Sequence, residues 1–366
     1  MHKSMFAAVV AICVAMVTSP SWADGVKRPM ALMVMFDGLR ADGIESGAMP
    51  NLAALRNGTW QAGYNGAWSV TGQTAPGVDT VSAPNHVTIA TGVIPSKHGV
   101  TANGQTSSGN YSTYPTWLKR VVDERSGTSA LFVYSWSEDG SLGPADGVSF
   151  LGNSDAQNAT DLAALLASSD APDATMYFID AVDHAGHAGN YYTYTTGYTN
   201  ALALTDGYLG ACLSAIAGRS TFADEDWLIL VTSDHGGYKN THSNQVKGNH
   251  GTTIPIVIAG RNVAAGRIPG CPYNFDVCAS ALAHFGVTVS GLDATARDST
   301  AVVDAARPLS AGLAAYLPFD EDYDNKIDDG ITSQTNGAPA LAVGNRSVKC
   351  RVTSGGARPE ASLRAP

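Results

Sequence analysis

The sequence is poor in charge and has no excess of basic residues. Only 15% of its 366 residues are charged, and 22 lysines and arginines stand against 32 aspartates and glutamates, which gives a net charge of −10. Because a phosphate backbone is bound by clustered positive charge, this composition argues against a nucleic-acid polymer as a partner. Beyond the N-terminus no apolar run approaches the length of about 18 residues that a membrane helix requires, so we expect no membrane span.

Cysteine is scarce and is not spaced as in a zinc finger. The five cysteines are Cys13, Cys212, Cys271, Cys278 and Cys350. A metal site in this chain would therefore have to use aspartate and histidine. We expect Cys271 and Cys278 to form a disulfide across a short loop, with two free thiols as the alternative, whereas Cys212 and Cys350 could pair or stay single.

The N-terminus has the pattern of a secretory signal peptide. Lys3 precedes an apolar run over residues 5–17, and the small-x-small sequence SWA ends at Ala23. The run is too short to cross a membrane. We therefore expect residues 1–23 to be cleaved and the mature chain to be secreted or periplasmic, in a compartment where disulfides persist.

Apolar segments with the character of strands alternate with segments of helical periodicity. Strands are predicted for MALMVMF, SALFVYSW, ATMYFIDAV, DWLILVTS and IPIVIAG, and helices for MPNLAALRNG, NATDLAALLA and ALALTDGYLGACLSAIAG. This alternation predicts an α/β fold in which a central, mostly parallel sheet is sandwiched by helices. In such sheets functional groups collect at the carboxyl ends of the strands.

Three of the predicted strands end in an aspartate, and histidines follow two of them. The residues are Asp37, Asp183, His187, Asp234 and His235, with His242 and His250 further along the chain. A single aspartate at a strand end is usually a turn or helix cap. Three of them, accompanied by histidines, are hard to explain as caps and indicate a metal site at one edge of the sheet.

Ser82 lies at the start of the predicted helix in SAPNHVTIATG. A serine in that position is usually an N-cap. As a nucleophile it would need an activator, and no Gly-x-Ser-x-Gly elbow surrounds it. A divalent cation would meet that need because it lowers the pKa of a coordinated oxygen. The residues alone leave both interpretations open.

Four motifs in order closely resemble the alkaline phosphatase superfamily, and within it the type I phosphodiesterase/nucleotide pyrophosphatase branch. They are DG at residue 37, SAPNHVTIATGVIPSKHGVTAN at 82–103, DHAGH at 183–187 and DHGG at 234–237. The resemblance covers residues 31–287 and implies a metal-dependent phosphoric ester hydrolase, a phosphodiesterase first of all, acting on a small-molecule phosphate ester. The alternatives are a phosphomonoesterase, a sulfatase, or a non-catalytic relative that binds a phosphorylated or sulfated ligand. His86 stands where a sulfatase would be expected to carry arginine.

The same resemblance implies a site with two zinc ions. The ligands implied for the first ion are Asp37, Asp234 and His235. Those for the second are Asp183, His187 and His242, with His250 as the alternative to His242. Ser82 would lie between the ions, attack phosphorus and form a phosphoseryl intermediate, while Asn103 would donate a hydrogen bond to the phosphate. Asn85 and His86 are expected only to hold the turn, and Arg40 to face solvent.

The C-terminal part of the chain falls outside this resemblance. We expect the catalytic domain to occupy residues 24–310. Residues 311–343 look like the start of a truncated, laminin-G-like β-sandwich. The Arg-rich, pattern-free segment 344–366 is typical of a disordered tail.

Overall fold

A central sheet of eight strands organises the part of the chain that the structure describes. The computed structural model describes residues 27–76, 79–143, 146–243 and 250–297, together with the backbone of Leu313–Ala315 and Val348–Cys350. The strands of the sheet are β1 (Arg28–Phe36), β2 (Asn65–Gln73), β3 (Ala130–Tyr134), β4 (Val148–Gly152), β5 (Ala174–Ile179), β6 (Glu225–Ser233), β7 (Thr253–Gly260) and β8 (Gly266–Arg267).

The sheet is mixed, with a parallel majority. The strand order is β4-β3-β5-β1-β6-β7-β2-β8. The five strands from β4 to β6 in this order run parallel, whereas β7 runs antiparallel to both β6 and β2. The central, mostly parallel sheet predicted from the sequence is therefore confirmed, and the reversal of β7 is added to it.

Helices cover both faces of the sheet. The helices are α1 (Pro50–Arg56), α2 (Ser82–Thr91), α3 (Pro95–His98), α4 (Trp117–Glu124), α5 (Asp155–Ala167), α6 (Ala181–Ala188), α7 (Thr196–Ala217) and α8 (Asp276–His284), and 3-10 turns occur at Ala41–Glu45, Thr106–Ser108, Ser137–Ser141 and Phe222–Asp224. Residues 30–36 of β1 are fully buried, as expected of a central strand covered on two sides. Met33 and Met35 pack toward α2, α4 and α8, whereas Leu32 and Val34 pack toward α1, α5 and α7. The predicted sandwich of helices is thus confirmed.

The disulfide predicted between Cys271 and Cys278 is wrong. Cys278 is a free, buried thiol on α8, with its Sγ atom 4.0 Å from the carbonyl oxygen of Ala90 on α2. The helix therefore turns this side chain into the core, away from the loop that carries Cys271, which is itself disulfide-bonded. Cys212 on α7 is also free and buried, so it does not pair with Cys350.

Several predictions for the two ends of the chain lie outside the described residues. These are the signal peptide at 1–23 and most of the segments 311–343 and 344–366. Within those segments, strand β9 (Leu313–Ala315) pairs antiparallel with strand β10 (Val348–Cys350). Among the helices of the described residues, none combines the length and the apolar character needed to cross a membrane.

Candidate metal centre

The carboxyl ends of β5, β1 and β6 bring three aspartates together at one edge of the sheet. Phe36 at the end of β1 is in register with the last residues of both neighbouring strands, Ile179 and Ser233. Asp37 and Asp234 follow β1 and β6 directly, and Asp183 lies in the first turn of α6, which begins just after β5. The parallel pairing of adjacent strands therefore places all three carboxylates in the same crevice.

The first group of polar side chains consists of Asp37, Asp234 and His235. The His235 Nε2 atom lies 3.1 Å from Asp234 Oδ2 and 3.5 Å from Asp37 Oδ1. All three residues are buried, and their ligating atoms lie within 4.8 Å of one another. Burial, followed by the nearby carboxylates of Asp234 and Asp183, raises the pKa of Asp37 well above its usual value. Such crowding of buried carboxylates is unfavourable without a compensating positive charge.

The second group consists of Asp183, His187 and His242. His187 Nε2 lies 3.3 Å from Asp183 Oδ2 and 3.0 Å from His242 Nε2, so three potential ligand atoms converge. The His242 ring stacks on that of His235, with ring centroids 3.8 Å apart. Asp183, His235 and His242 themselves place ligand atoms within 4.8 Å of one another. The two groups are therefore contiguous, with His235 between them.

His242, and not His250, lies in this cluster. Its Nδ1–H donates to the carbonyl oxygen of Thr80, which aims Nε2 at the second group. Burial, and next the neighbouring His235, lowers the pKa of His242 to about 4, so the ring is neutral at ordinary pH. A neutral imidazole held through its other nitrogen is the form that binds a metal. His250 is buried elsewhere and stacks on Tyr238, with ring centroids 5.5 Å apart.

Ser82 is the first residue of α2, and its hydroxyl does not cap the helix. The N-cap position belongs to Val81, and no side chain makes a capping hydrogen bond there. The Ser82 Oγ atom lies 3.3 Å from His235 Nε2, inside the crevice. The N-cap interpretation of Ser82 is therefore wrong, and its hydroxyl is available beside the first group.

Asn103 approaches the same helix end from the loop that follows α3. Its Oδ1 atom accepts a hydrogen bond from the backbone N–H of Ala83 at 3.0 Å. Because the carbonyl end of the side chain is used in this way, the two amide N–H groups of the exposed Asn103 remain for a ligand next to Ser82.

His86 is a central residue of the site, although the sequence suggested only a turn residue. Its Nε2 atom lies 3.2 Å from Asp37 Oδ2 and 3.3 Å from Asp234 Oδ2, and its Nδ1 atom lies 2.8 Å from Asp139 Oδ1. Burial alone would lower the pKa of His86, but the carboxylates, Asp139 first, raise it well above its usual value. Asp139 was not singled out from the sequence, because no motif surrounds it.

Tyr191 supports Asp183 and explains two glycines of the motifs. Its hydroxyl donates to Asp183 Oδ1. The ring lies against Gly186 of DHAGH and Gly237 of DHGG, where an added Cβ atom would come within 2.4 Å and 2.3 Å of it. Side chains at either glycine would therefore displace the tyrosine. In the sequence Tyr191 is the first residue of the tyrosine-rich run YYTYTTGY, and it lies in none of the four motifs.

Arg40 was expected from the sequence to face solvent, but the structure shows it buried. Its Nε and Nη2 atoms donate to the Asp42 carboxylate at 2.9 Å and 2.7 Å, and its Nη1 atom donates to the carbonyl oxygen of Gly237 at 3.3 Å. The guanidinium therefore braces the loop after β6.

Comparison with known proteins identifies the family. A profile of the family described as Type I phosphodiesterase / nucleotide pyrophosphatase matches residues 31–252, more than half of the chain. None of the curated proteins compared with this sequence matches it.

Solved structures share the fold at low sequence identity. An inactive variant of murine ectonucleotide pyrophosphatase / phosphodiesterase 5 in complex with AMP is 13% identical with a TM-score of 0.53, and the alignment covers 73% of this chain and 97% of that one. A 2-O GAG sulfatase is 11% identical with a TM-score of 0.56 and 72% coverage of both chains. A Vibrio parahaemolyticus protein of the alkaline phosphatase superfamily is 18% identical with a TM-score of 0.50, over 71% of this chain and 67% of that one.

These similarities agree with the arrangement of strands and motifs described above. The structural matches establish a fold shared with the alkaline phosphatase superfamily, and the profile match establishes the branch. The chain belongs to the type I phosphodiesterase/nucleotide pyrophosphatase family.

Proposed function

We propose that this protein is an exported dizinc phosphodiesterase that cleaves small-molecule phosphate diesters through a covalent intermediate on Ser82. The observation that carries the proposal is the position of the Ser82 hydroxyl, free of any capping role and 3.3 Å from His235 Nε2, at the edge of two contiguous groups of carboxylates and imidazoles. Export is supported by the N-terminal pattern that ends at Ala23.

The residues present fit a pair of divalent cations. Asp37 Oδ1 and Asp234 Oδ2 are buried and lack a hydrogen-bond partner, which is costly for a carboxylate unless a cation satisfies it. Asp37, Asp234 and His235 would hold one ion, and Asp183, His187 and His242 the other. A set that is half imidazole suits zinc better than magnesium. When bound, the ions would supply positive charge to the phosphate oxygens and favour the ionised form of the Ser82 hydroxyl.

The chain's own residues then account for a two-step displacement. In the first step the Ser82 Oγ–P bond forms, the bond from phosphorus to the leaving alcohol breaks, and the alcohol departs with the proton that Ser82 has lost. The N-terminus of α2 presents its positive end to the phosphate, and Asn103 donates to a non-bridging oxygen. In the second step water attacks phosphorus and the Oγ–P bond breaks, which restores the serine.

A diester is preferred in this proposal because the positive charge available for a dianion is limited. Arg40 is engaged by the Asp42 carboxylate and the Gly237 carbonyl. His86 is surrounded by Asp37, Asp139 and Asp234. A phosphate diester carries one negative charge where a monoester carries two, and it therefore needs less compensation from the site.

The substrate class can be tested with three aryl esters. We expect kcat/KM of the zinc-loaded protein for bis-p-nitrophenyl phosphate to exceed that for p-nitrophenyl phosphate and for p-nitrophenyl sulfate by about tenfold or more, the ratio given by an unmatched interaction of about 1.4 kcal/mol. Faster hydrolysis of the monoester or of the sulfate would instead indicate a phosphomonoesterase or a sulfatase. Binding of two zinc ions per chain without turnover of any ester would favour a ligand-binding relative instead.

Tyr191→Phe is expected to weaken zinc binding by about 10- to 100-fold, because groups that hydrogen-bond to a metal ligand typically contribute that much to affinity. The substitution keeps the ring that fills the space between Gly186 and Gly237 and removes only the hydroxyl that holds Asp183. Zinc affinity would be measured by competition with a chromophoric chelator.

Tyr64→Phe is the matched control for this measurement. Tyr64 is also buried, but its hydroxyl accepts a hydrogen bond from Trp227 at the opposite end of β6. We expect this control to bind zinc like the unmodified protein. Equal affinities for all three proteins would show that Tyr191 does not act on Asp183.

A further inference from the structure

We propose that the 3-10 turn Ser137–Ser141 positions both halves of the site through two adjacent carboxylates. Asp139 would act through His86 on Asp37 and Asp234, and Glu138 would act on the loop that carries Asn103. The proposal rests on the proposed function, since it assigns the turn to the metal-binding and phosphate-binding sides of that same site. Both residues are positioning residues, because neither would touch substrate or metal.

The connection through Asp139 consists of one buried hydrogen bond, between His86 and Asp139, and of close contacts between His86 and two ligand carboxylates. Asp139 Oδ1 accepts from His86 Nδ1 at 2.8 Å, and His86 Nε2 lies 3.2 Å from Asp37 Oδ2 and 3.3 Å from Asp234 Oδ2. The imidazole therefore lies between Asp139 on one side and the two ligand carboxylates on the other. Phe178 packs edge-on against the ring at a centroid distance of 5.1 Å, which restricts its rotation.

Contacts of this kind fix the orientation of the ligand carboxylates. Each carboxylate has a second oxygen that needs a donor if the first is to face a cation, and the donor fixes the rotation of the group. His86 is placed to serve as this donor for Asp37, whose Oδ2 atom lies 3.2 Å from His86 Nε2 while its Oδ1 atom faces His235. For Asp234 the backbone N–H of Gly38 already donates to Oδ1 at 3.0 Å, and Oδ2 lies close to both His86 and His235. Asp139 keeps the imidazole in place, so its charge would be felt at the metal ligands without direct contact.

Glu138 acts on the other side of Ser82, through hydrogen bonds to the loop that follows Asn103. One oxygen, Oε1, accepts from the backbone N–H groups of Gly104 and Thr106 at 2.7 Å and 3.1 Å, and from the Thr106 hydroxyl at 2.7 Å. Gly104 directly follows Asn103 and has φ of +85°, a conformation that glycine adopts without strain. Glu138 therefore holds the turn that presents Asn103 to the start of α2.

Two substitutions separate the effects of Asp139 and Glu138. Asp139→Asn keeps the shape of the side chain and removes its charge, and Glu138→Ala removes the acceptor of the Asn103 loop. We expect Asp139→Asn to weaken zinc binding by about 10- to 100-fold and to change the visible spectrum of the cobalt-substituted protein. We expect Glu138→Ala to leave zinc affinity unchanged and to weaken inorganic phosphate binding to the zinc-loaded protein by about tenfold, in line with loss of one well-placed donor.

His86 provides the rescue test for the connection through Asp139. His86→Leu is expected to lose zinc affinity as Asp139→Asn does, whereas His86→Gln retains an N–H donor toward Asp37 and should recover part of that affinity. Thermal unfolding of each variant shows whether it is folded, and only folded variants enter the comparison. If His86→Gln binds zinc no more tightly than His86→Leu, the donor role of His86 is overturned.

The outcomes distinguish this proposal from the proposed function. If the wild-type protein hydrolyses no diester but the zinc and phosphate affinities separate as described, the positioning role stands and the diesterase assignment fails. If Asp139→Asn lowers only the melting temperature, with zinc affinity and cobalt spectrum unchanged, the turn is merely structural. Equal effects of Asp139→Asn and Glu138→Ala on both affinities would also overturn the proposal.

Discussion

Replacing Ser82 with alanine is expected to lower kcat for a phosphate diester by about 10⁴-fold or more, the scale on which loss of a covalent nucleophile acts in other hydrolases. The alanine variant should still fold, because the Ser82 hydroxyl makes no capping hydrogen bond and α2 is buried along its whole length. Its zinc content, measured by elemental analysis, should stay near that of the wild type. The rate would be followed by release of p-nitrophenolate from bis-p-nitrophenyl phosphate.

Ser82→Thr is the matched control, since threonine keeps a hydroxyl at the same position. We expect this variant to retain a measurable part of the activity, because the nucleophilic oxygen and the start of α2 are both preserved. An alanine variant as active as the wild type would mean that water attacks the substrate directly. Ser82 would then have no covalent role.

His242→Ala is expected to have the second-largest effect. It should reduce the zinc bound per chain from two ions to one. The zinc affinity of the second site should fall by more than about 100-fold, because losing a ligand costs more than the 10- to 100-fold typical of a residue that only supports a ligand. The physical reason is the convergence of His242 with His187 and Asp183, together with the anchoring of its Nδ1–H on Thr80. Zinc stoichiometry after dialysis against a weak chelator measures it.

His250→Ala tests the alternative assignment with the same assay. His250 stacks on Tyr238, so its loss should affect packing while both zinc ions are retained. If this variant loses an ion and His242→Ala does not, the identity of the histidine at the second site is reversed.

The fold was predictable from the sequence where buried strands are long and apolar. The predicted segments MALMVMF and DWLILVTS correspond to β1 and β6, which lie side by side at the centre of the sheet. In contrast, β2 reads NGAWSVTGQ and mixes glycine and polar residues with few apolar ones, and β4 is a half-exposed edge strand, so neither has a clear apolar pattern. The direction of β7 was not predictable either, because the uniformly apolar segment IPIVIAG does not indicate whether the strand runs parallel or antiparallel to its neighbours.

Much of the candidate site followed from where strands end. Asp37 and Asp234 were placed correctly beside each other because adjacent parallel strands share an edge. The role of His86 did not follow, because its environment depends on Asp139, which is 53 residues further along the chain and in no motif. The inward direction of Cys278 likewise depends on how α8 packs against α2. Local patterns do not encode such long-range pairings.

The most direct test of the central claim is to trap the intermediate on Ser82. Zinc-loaded protein would be mixed with bis-p-nitrophenyl phosphate, quenched with acid during the first turnover, digested and mapped by mass spectrometry. We predict a p-nitrophenylphosphoryl group on the peptide that contains Ser82, absent from the Ser82→Ala protein. Turnover in the wild type with no adduct, or with an adduct on a different residue, would contradict the claim.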